Sequence, residues 1–312
     1  MRKLVLLDGH AIIHRAFHAI RPLNTSAGEL VNAVFGFTSM LLNVLELEQP
    51  DCIAVTFDRK GPTFRHREDE NYKANRVKAP DELISQIKRV YEIARAFNIP
   101  VFAEKGLEAD DMLGSIVAKV KFEKDLQTVI VSGDRDLLQL VAERISVHDL
   151  TGGYRNAVKF TPAEVEKKYG FGPKFIPDFK GLVGDASDNL KGVTGVGPKS
   201  ATDLIRQFGS LENIYDNLPA IKETVREKLE RDRENAFQTK RMTTIRFDAP
   251  LDWNLDKCEL NSFDRAEVLH LLEELEFYSL IKRFEKLFPI SPEKAEIPQA
   301  PETPQATQQS LF

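Results

Sequence analysis

The stretch KLVLLD (residues 3–8) places an unbroken apolar run between a lysine and an aspartate. A run that short, ended by an acid, reads as a strand rather than a helix. Runs of the same kind recur at DCIAVTFD (51–58), IPVFAE (99–104) and TVIVSGD (128–134). Between them lie segments such as LISQIKRVYEIARAF (83–97), whose apolar positions repeat at helical spacing. Strands alternating with helices predict an α/β domain over residues 1–170, built on a mostly parallel sheet with flanking helices.

Composition bounds the rest. The chain has 312 residues, 42% of them hydrophobic, which is enough to bury a full core. A net charge of −5 gives no hint of nucleic-acid binding, although acids gathered in one place can offset a basic surface elsewhere. Cys52 and Cys258 stand far apart in unrelated contexts, which argues against a disulfide framework or a cysteine metal site and fits a reducing cytoplasm. The start MRKLVLLDGH has the basic opening of a signal peptide, but Asp8 cuts its apolar run short. No apolar stretch approaches membrane length, so a soluble, unprocessed, cytoplasmic protein is expected.

From Phe171 onward the strand-type runs end. Residues 181–218 read as short helices joined by glycine turns, and IKETVREKLERDRENAFQTKRMTTI (221–245) as one long charged helix. A helical region is therefore expected over 171–288. Residues 289–312 are rich in Pro, Gln, Glu, Thr and Ala, a composition expected to stay disordered, yet they end in QQSLF.

In a parallel α/β sheet, ligands bind beyond the carboxyl ends of the strands. Asp8 closes the first run, Asp58 the second, Glu108 follows the third, and Asp134 and Asp136 close the fourth. GLEADDMLGS (106–115) adds Asp110 and Asp111 at a helix start, where an isolated acid is an ordinary cap or dipole partner. The set is a different matter. Acids delivered by several strand ends to one rim repel one another unless a counter-charge stands among them. GDASDN (184–189) supplies Asp185 and Asp188 at a spacing that suits one face of a helical turn. Oxygen ligands without His or Cys companions suit Mg²⁺ or Mn²⁺ rather than zinc, and such clusters activate water and stabilise the leaving oxygen in phosphodiester cleavage. Other motifs fail. DRDLLQLV (134–141) lacks the later acids of an EF-hand, no Gly-x-Ser-x-Gly elbow is present, and GVTGVG (192–197) follows a helical stretch rather than a strand.

GVTGVG followed by PKSATDLIRQFG looks like a helix-hairpin-helix element. Gly192, Gly195 and Gly197 would let the backbone approach phosphates, Pro198 suits a first helical position and Lys199 adds charge. Residues 58–80 interleave Arg59, Lys60, Arg65, Arg67, Lys73, Arg76 and Lys78 with Phe64 and Tyr72, a mixture suited to a single nucleic-acid strand.

Taken in order, LLDGH, FD (57–58), FRHREDENYKANR, GLEADD, SGDRDLLQL, GDASDN and GVTGVGPKSA resemble the bacterial 5′-3′ exonuclease and flap endonuclease family, best known as the N-terminal segment of DNA polymerase I. The resemblance covers roughly residues 1–285. It implies a PIN-like sheet domain, a helical arch over the active site, and a helix-hairpin-helix module that binds duplex. The implied substrate is DNA with a 5′ flap, nick or 5′ end, as at Okazaki fragments, RNA primers and repair sites in the bacterial nucleoid. By the same resemblance Asp8, Asp58, Glu108, Asp110, Asp111, Asp134, Asp136, Asp185 and Asp188 match metal-site acids, the earlier ones on one ion and the later ones on a second. Two or more Mg²⁺ ions are implied, with Mn²⁺ as a substitute and K⁺ at the helix-hairpin-helix. Lys73 and Arg76 match residues that contact the scissile phosphate, with Arg65 nearby and Tyr72 as a stacking platform. Pro198 stands where many relatives carry an acid, and whether the polypeptide continues into a polymerase is left open.

QQSLF resembles a peptide that binds the bacterial sliding clamp, with Gln308 ahead of Leu311 and Phe312. The expected partners are thus DNA and the clamp, with no membrane and a monomeric chain. Competing readings are a PIN-type ribonuclease, which leaves the helix-hairpin-helix unexplained, and a non-catalytic junction or clamp scaffold, which leaves the converging acids unexplained.

Overall fold

The structure, a computed structural model, describes residues 1–260 and 263–289. The clamp-type peptide with Gln308, Leu311 and Phe312 lies outside the described residues. Among the described residues, a 6-stranded sheet comprises β1 (Arg2–Asp8), β2 (Cys52–Thr56), β3 (Val101–Phe102), β4 (Leu126–Ser132), β5 (Ile145–Asp149) and β6 (Val158–Phe160). Its order is β3-β2-β1-β4-β5-β6, parallel except for β6, which runs antiparallel to β5. The chain order reverses between β1 and β4, so the crevice for a ligand opens where those two strands end.

The unbroken apolar run of β1 is explained by cover on both faces. Leu4 and Leu6 join one core with Ala54, Ile130 and the helix Ala109–Val120. Val5 and Leu7 join another with Val55, Val131 and the helices Gly9–Ala19, Asn32–Glu48 and Ile87–Ala96. Helices around both faces are what a parallel sheet requires. β5 and β6 escape the sequence reading because β5 alternates Ile145 and Val147 with Ser146 and His148, and β6 is three residues long.

The helical region packs beside the β4–β6 half of the sheet, with Val165, Phe171, Ile176, Leu182 and Val193 in one core with Val147 and Phe160. Two expectations change here. The long helix expected over 221–245 is two helices, Glu223–Arg231 and Arg233–Thr243, parted at Asp232, whose carboxylate accepts the Thr194 N–H at 2.7 Å. The helices Arg265–Glu274 and Tyr278–Leu287, grouped by sequence with the helical region, return to the sheet. There Val268, Leu272 and Phe284 fill the core against Asn32–Glu48 and Ile87–Ala96. Among the described residues, no helix is long and apolar enough to cross a membrane.

Candidate active site

The ends of β1, β2 and β4 each place an acid. Asp8 ends β1 and caps the next helix, accepting the Ala11 N–H at 3.0 Å while Ser132, the last residue of β4, donates its hydroxyl at 2.5 Å. Asp58 lies just past β2 and accepts the Ala109 N–H at 2.6 Å. Glu108 caps the helix Ala109–Val120, and Asp134 follows β4. With Asp110 these carboxylates line a cavity of about 250 Å³, shared with His10, His14, Lys73 and Arg76. Burial pushes the Asp8 carboxyl up to about 6, with Asp134 and Asp58 adding to the effect. Burial and then Asp134 and Asp8 hold Asp110 well above the usual carboxylate range, and burial likewise raises Asp134. Such acids prefer to keep protons unless a cation joins them.

A second group lies alongside. Asp136, Asp185 and Asp188 offer ligand oxygens within 4.8 Å of one another. Lys180 reaches in from the helix Ile176–Val183, bridging Asp136 and Asp185, the latter at 2.6 Å. Burial works to raise the Asp185 carboxyl, but Lys180 and Ser187 outweigh it and hold it below its ordinary value. The two groups divide between neighbours in sequence: Asp134 lines the first cavity, while Asp136 joins Asp185 and Asp188.

The basic segment folds down onto these acids. It is helical at Phe64–Glu68 and Asp81–Ile84, with turns from Asp69 to Arg76 and Lys73 in the left-handed region at φ 56°. Lys73 Nζ lies 2.9 Å from Glu108 and Arg76 2.5 Å from Asp188. Burial works to lower the Lys73 and Arg76 cations, but the carboxylates beside them prevail and raise both. The turn is fastened by the Lys73 N–H donating to the Asp188 carbonyl at 2.9 Å and by Asn75 donating to the Ala186 carbonyl at 2.7 Å.

Several expectations are revised by this geometry. Tyr72 is not an open stacking platform: it is 3% exposed, and its hydroxyl lies 3.1 Å from both Glu108 and Asp188. Arg65 is not poised over the cavity, because its guanidinium is buried against Asp111 at 2.8 and 3.0 Å and donates to the Met242 carbonyl. Asp111 itself is fully buried, and its oxygens are taken by Arg65 and by the N–H groups of Glu108 and Arg246, so it faces no open cavity. Gly192 is a packing residue, since an added Cβ would stand 2.2 Å from the Gly184 nitrogen. Gly195, Gly197 and Lys199 lie exposed at the hairpin tip, where Gly195 adopts φ +83° and its carbonyl accepts from Lys228 at 3.1 Å. Lys180 and Ser132 were missed by the sequence reading, since a lone lysine five positions before Asp185 and a serine at a strand end carry no motif.

The donor set suits a hard divalent cation. The acids supply oxygen ligands and crowd one another, and Lys73, Arg76 and Lys180 reach in among them, with Arg65 3.5 Å from Glu108 and His10 3.4 Å from Asp58. Lys73 and Arg76 line the same cavity, so acids and cations share one space.

Residues 3–170 match the family described as "5'-3' exonuclease, N-terminal resolvase-like domain", and residues 171–266 match "5'-3' exonuclease, C-terminal SAM fold". The chain is 44% identical over 283 residues to DNA polymerase I of Caldicellulosiruptor bescii, covering 90% of this chain and 33% of that protein. Against DNA polymerase I of Bacillus subtilis the identity is 37% over 284 residues, covering 90% of this chain and 32% of that one. The chain thus spans about a third of the length of the curated relatives it matches. Among solved structures it resembles T5 5'-exonuclease with bound zinc, with a TM-score of 0.66 at 20% identity over 92% of this chain and 98% of that one. The catalytic core of Rad2 in complex with DNA gives a TM-score of 0.58 at 19% identity, covering 92% of each chain. At such identities the likeness concerns the fold. Sheet topology, converging acids and the matches across both regions lead to one assignment: the chain belongs to the 5′-3′ exonuclease family.

Proposed function

We propose that this chain hydrolyses DNA phosphodiester bonds as a Mg²⁺-dependent 5′-3′ exonuclease and 5′-flap endonuclease, in the removal of RNA primers at Okazaki fragments and in repair. The observation that carries this reading is the convergence of Asp8, Asp58, Glu108, Asp110 and Asp134 on one cavity, with Asp136, Asp185 and Asp188 beside it and Lys73 and Arg76 overhead. The first group would hold one ion and the second group another, and Mn²⁺ would serve in place of Mg²⁺. When bound, such ions supply an activated water and neutralise the charge that develops at the leaving oxygen.

The chain's own residues do the rest. Ser132 and the Ala11 N–H hold the two Asp8 oxygens and the Ala109 N–H holds one Asp58 oxygen, so both carboxylates are fixed in orientation. Lys73 and Arg76 exchange Glu108 and Asp188 for the scissile phosphate, which places two cations where negative charge accumulates. The exposed tip at Gly195, Gly197 and Lys199 grips duplex phosphates without reading bases. A K⁺ at this hairpin belongs to the same proposal, in competition with Lys228 on the Gly195 carbonyl. The T5 and Rad2 structures, solved with metal ions or with DNA, support these partners.

The test is cleavage of a labelled 5′-flap duplex with Mg²⁺, with EDTA and with Asp110→Asn. Cutting near the junction that requires both metal and Asp110 is expected; binding without cutting under any divalent metal would leave a scaffold. Cleavage of single-stranded RNA in preference to the flap would point to a ribonuclease. The QQSLF ending is proposed to tether the nuclease to the sliding clamp in the cytoplasm, and unchanged clamp affinity in Phe312→Ala would remove that part.

A further inference from the structure

A cavity of about 600 Å³ lies along the outer edge of the sheet, beside β3, within the size range of ligand sites. Arg59, Arg95 and Lys257 stand around it, with Tyr91 and Asn98 between. Among the described residues, neither Arg59 nor Arg95 forms an ion pair, and Lys257 pairs only with the highly exposed Asp252 at 3.1 Å. Cations left without acids on a protein of net charge −5 suit an anionic ligand. Tyr91 stacks on Phe57 with ring centroids 4.9 Å apart, which fixes its ring as a wall of the cavity. Guanidinium groups beside a fixed aromatic ring match a phosphate with an adjoining base. A peptide strand is disfavoured, since β3 is two residues long and begins straight after Pro100.

Position narrows the ligand further. Asp58 lines the acid cavity and Arg59, the next residue, lines this one, so the two spaces are neighbours. The helical region with its hairpin adjoins β4–β6, the acids gather at the ends of β1, β2 and β4, and this cavity lies beyond them at β3. On the 5′-nuclease reading, a strand held as duplex at the hairpin and cut at the acids would continue toward this edge, and its part beyond the cut would be the 5′ flap.

We propose that the β3-edge cavity is a subsite for the displaced 5′ strand, holding a nucleotide beyond the cleaved bond by its phosphate on Arg59, Arg95 and Lys257 and its base against Tyr91. This rests on the nuclease reading above. It gives the enzyme a grip on flaps that a simple nick does not offer.

The test uses the full chain and the double variant Arg95→Ala/Lys257→Ala, both exposed residues outside the acid cavity. On a flap several nucleotides long, KM is expected to rise about tenfold with kcat held, while both constants on a flapless nick stay unchanged. The slope of log affinity against log salt for the flap substrate should fall by about 0.7 for each cation removed. In the wild type, 4-thiothymidine placed in the flap next to the junction should crosslink to the segment 90–95. Equal KM rises on flap and nick, or crosslinks formed only by the 3′ end of the upstream strand, would overturn the subsite. If the wild type cuts neither substrate, the nuclease reading fails separately, and crosslinking with metal withheld still decides whether this cavity takes the flap.

Discussion

Arg65 grips Asp111 through two hydrogen bonds, 2.8 and 3.0 Å long, with both side chains sealed from solvent. Arg65 also donates to the carbonyls of Met242 and Thr244, while Asp111 accepts the N–H groups of Glu108 and Arg246. The pair therefore ties the stem of the basic segment, the helix that carries Glu108 and Asp110, and the end of the helical region into one joint. Its removal is predicted to act on the fold. Arg65→Ala leaves a buried carboxylate unpaired, at a cost of about 3–5 kcal/mol. A fall in Tm of roughly 6–20 °C is expected for a chain of this size. An unchanged Tm in thermal unfolding would contradict this role.

Asp110→Asn acts in the opposite direction on stability. The Asp110 carboxyl is held up by burial and by Asp134 and Asp8, so in the metal-free protein its charge is an unfavourable one. The variant should melt a few degrees higher without metal, the size of shift that about 1 kcal/mol produces. Cleavage should drop by about 10²–10³-fold, the scale of losing one electrostatic stabiliser at a reacting centre. Gel-shift binding of duplex should be unaltered. A metal-free Tm below wild type would show that Asp110 supports the fold.

Metal binding should depend on pH with a defined sign. The Asp8 carboxyl at about 6 lies above its unfolded value near ~3.9, so the folded state holds more protons between those limits. Its charge weakens the metal-free fold as pH rises through 6, and the penalty is relieved as pH falls toward 4. Divalent ions bind the deprotonated acids and reverse that penalty. The gain in Tm from saturating Mg²⁺ should therefore be larger at pH 7.5 than at pH 5. An equal gain at both values would detach these acids from the metal.

How far the sequence carries the fold can be judged from particular residues. KLVLLD is legible as a strand because both of its faces are covered, so no polar residue interrupts it. The acids are legible because parallel strands deliver their ends to one rim. Tyr72 and Arg65 are not, because an aromatic or a cation in a basic segment looks the same whether it meets DNA or a buried carboxylate. Asp232 breaks a helix through a contact with Thr194, a partner that helical periodicity along 221–245 does not contain. Likewise, the return of Arg265–Glu274 to the sheet depends on Ile87–Ala96 offering an open apolar face, which is a property of the assembled core.

Lys180 is predicted to be a built-in cation for the second acid group. It bridges Asp136 and Asp185, so Lys180→Met leaves Asp136, Asp185 and Asp188 without that counter-charge. The variant should lose stability in EDTA and regain most of it with a divalent ion, because the ion then supplies the missing charge. Tm measured with and without metal reads this directly. A loss of the same size under both conditions would make Lys180 a packing residue with no link to the ion.

Gly192 should show how far duplex binding depends on the base of the hairpin. An added Cβ there would lie 2.2 Å from the Gly184 nitrogen, 2.5 Å from the Leu182 carbonyl and 2.6 Å from the Val183 carbonyl carbon, all of them backbone. Nothing in that contact can rotate aside, so Gly192→Ala must part the 184 and 192 backbones, at about 1–3 kcal/mol. The displacement falls at the base of the hairpin that presents Gly195, Gly197 and Lys199. Duplex affinity should fall, with KM for a flap duplex rising more than kcat changes. At matched temperature below the melting point, the acid group of Asp8, Asp58, Glu108 and Asp110 should keep its ion, because these residues stand at the strand ends and the start of the helix Ala109–Val120, whereas Asp185, next to the displaced Gly184, makes the second group the one to weaken. If the variant keeps wild-type duplex affinity, the hairpin does not hold the DNA, and the strand path inferred from it to the β3 edge loses its starting point.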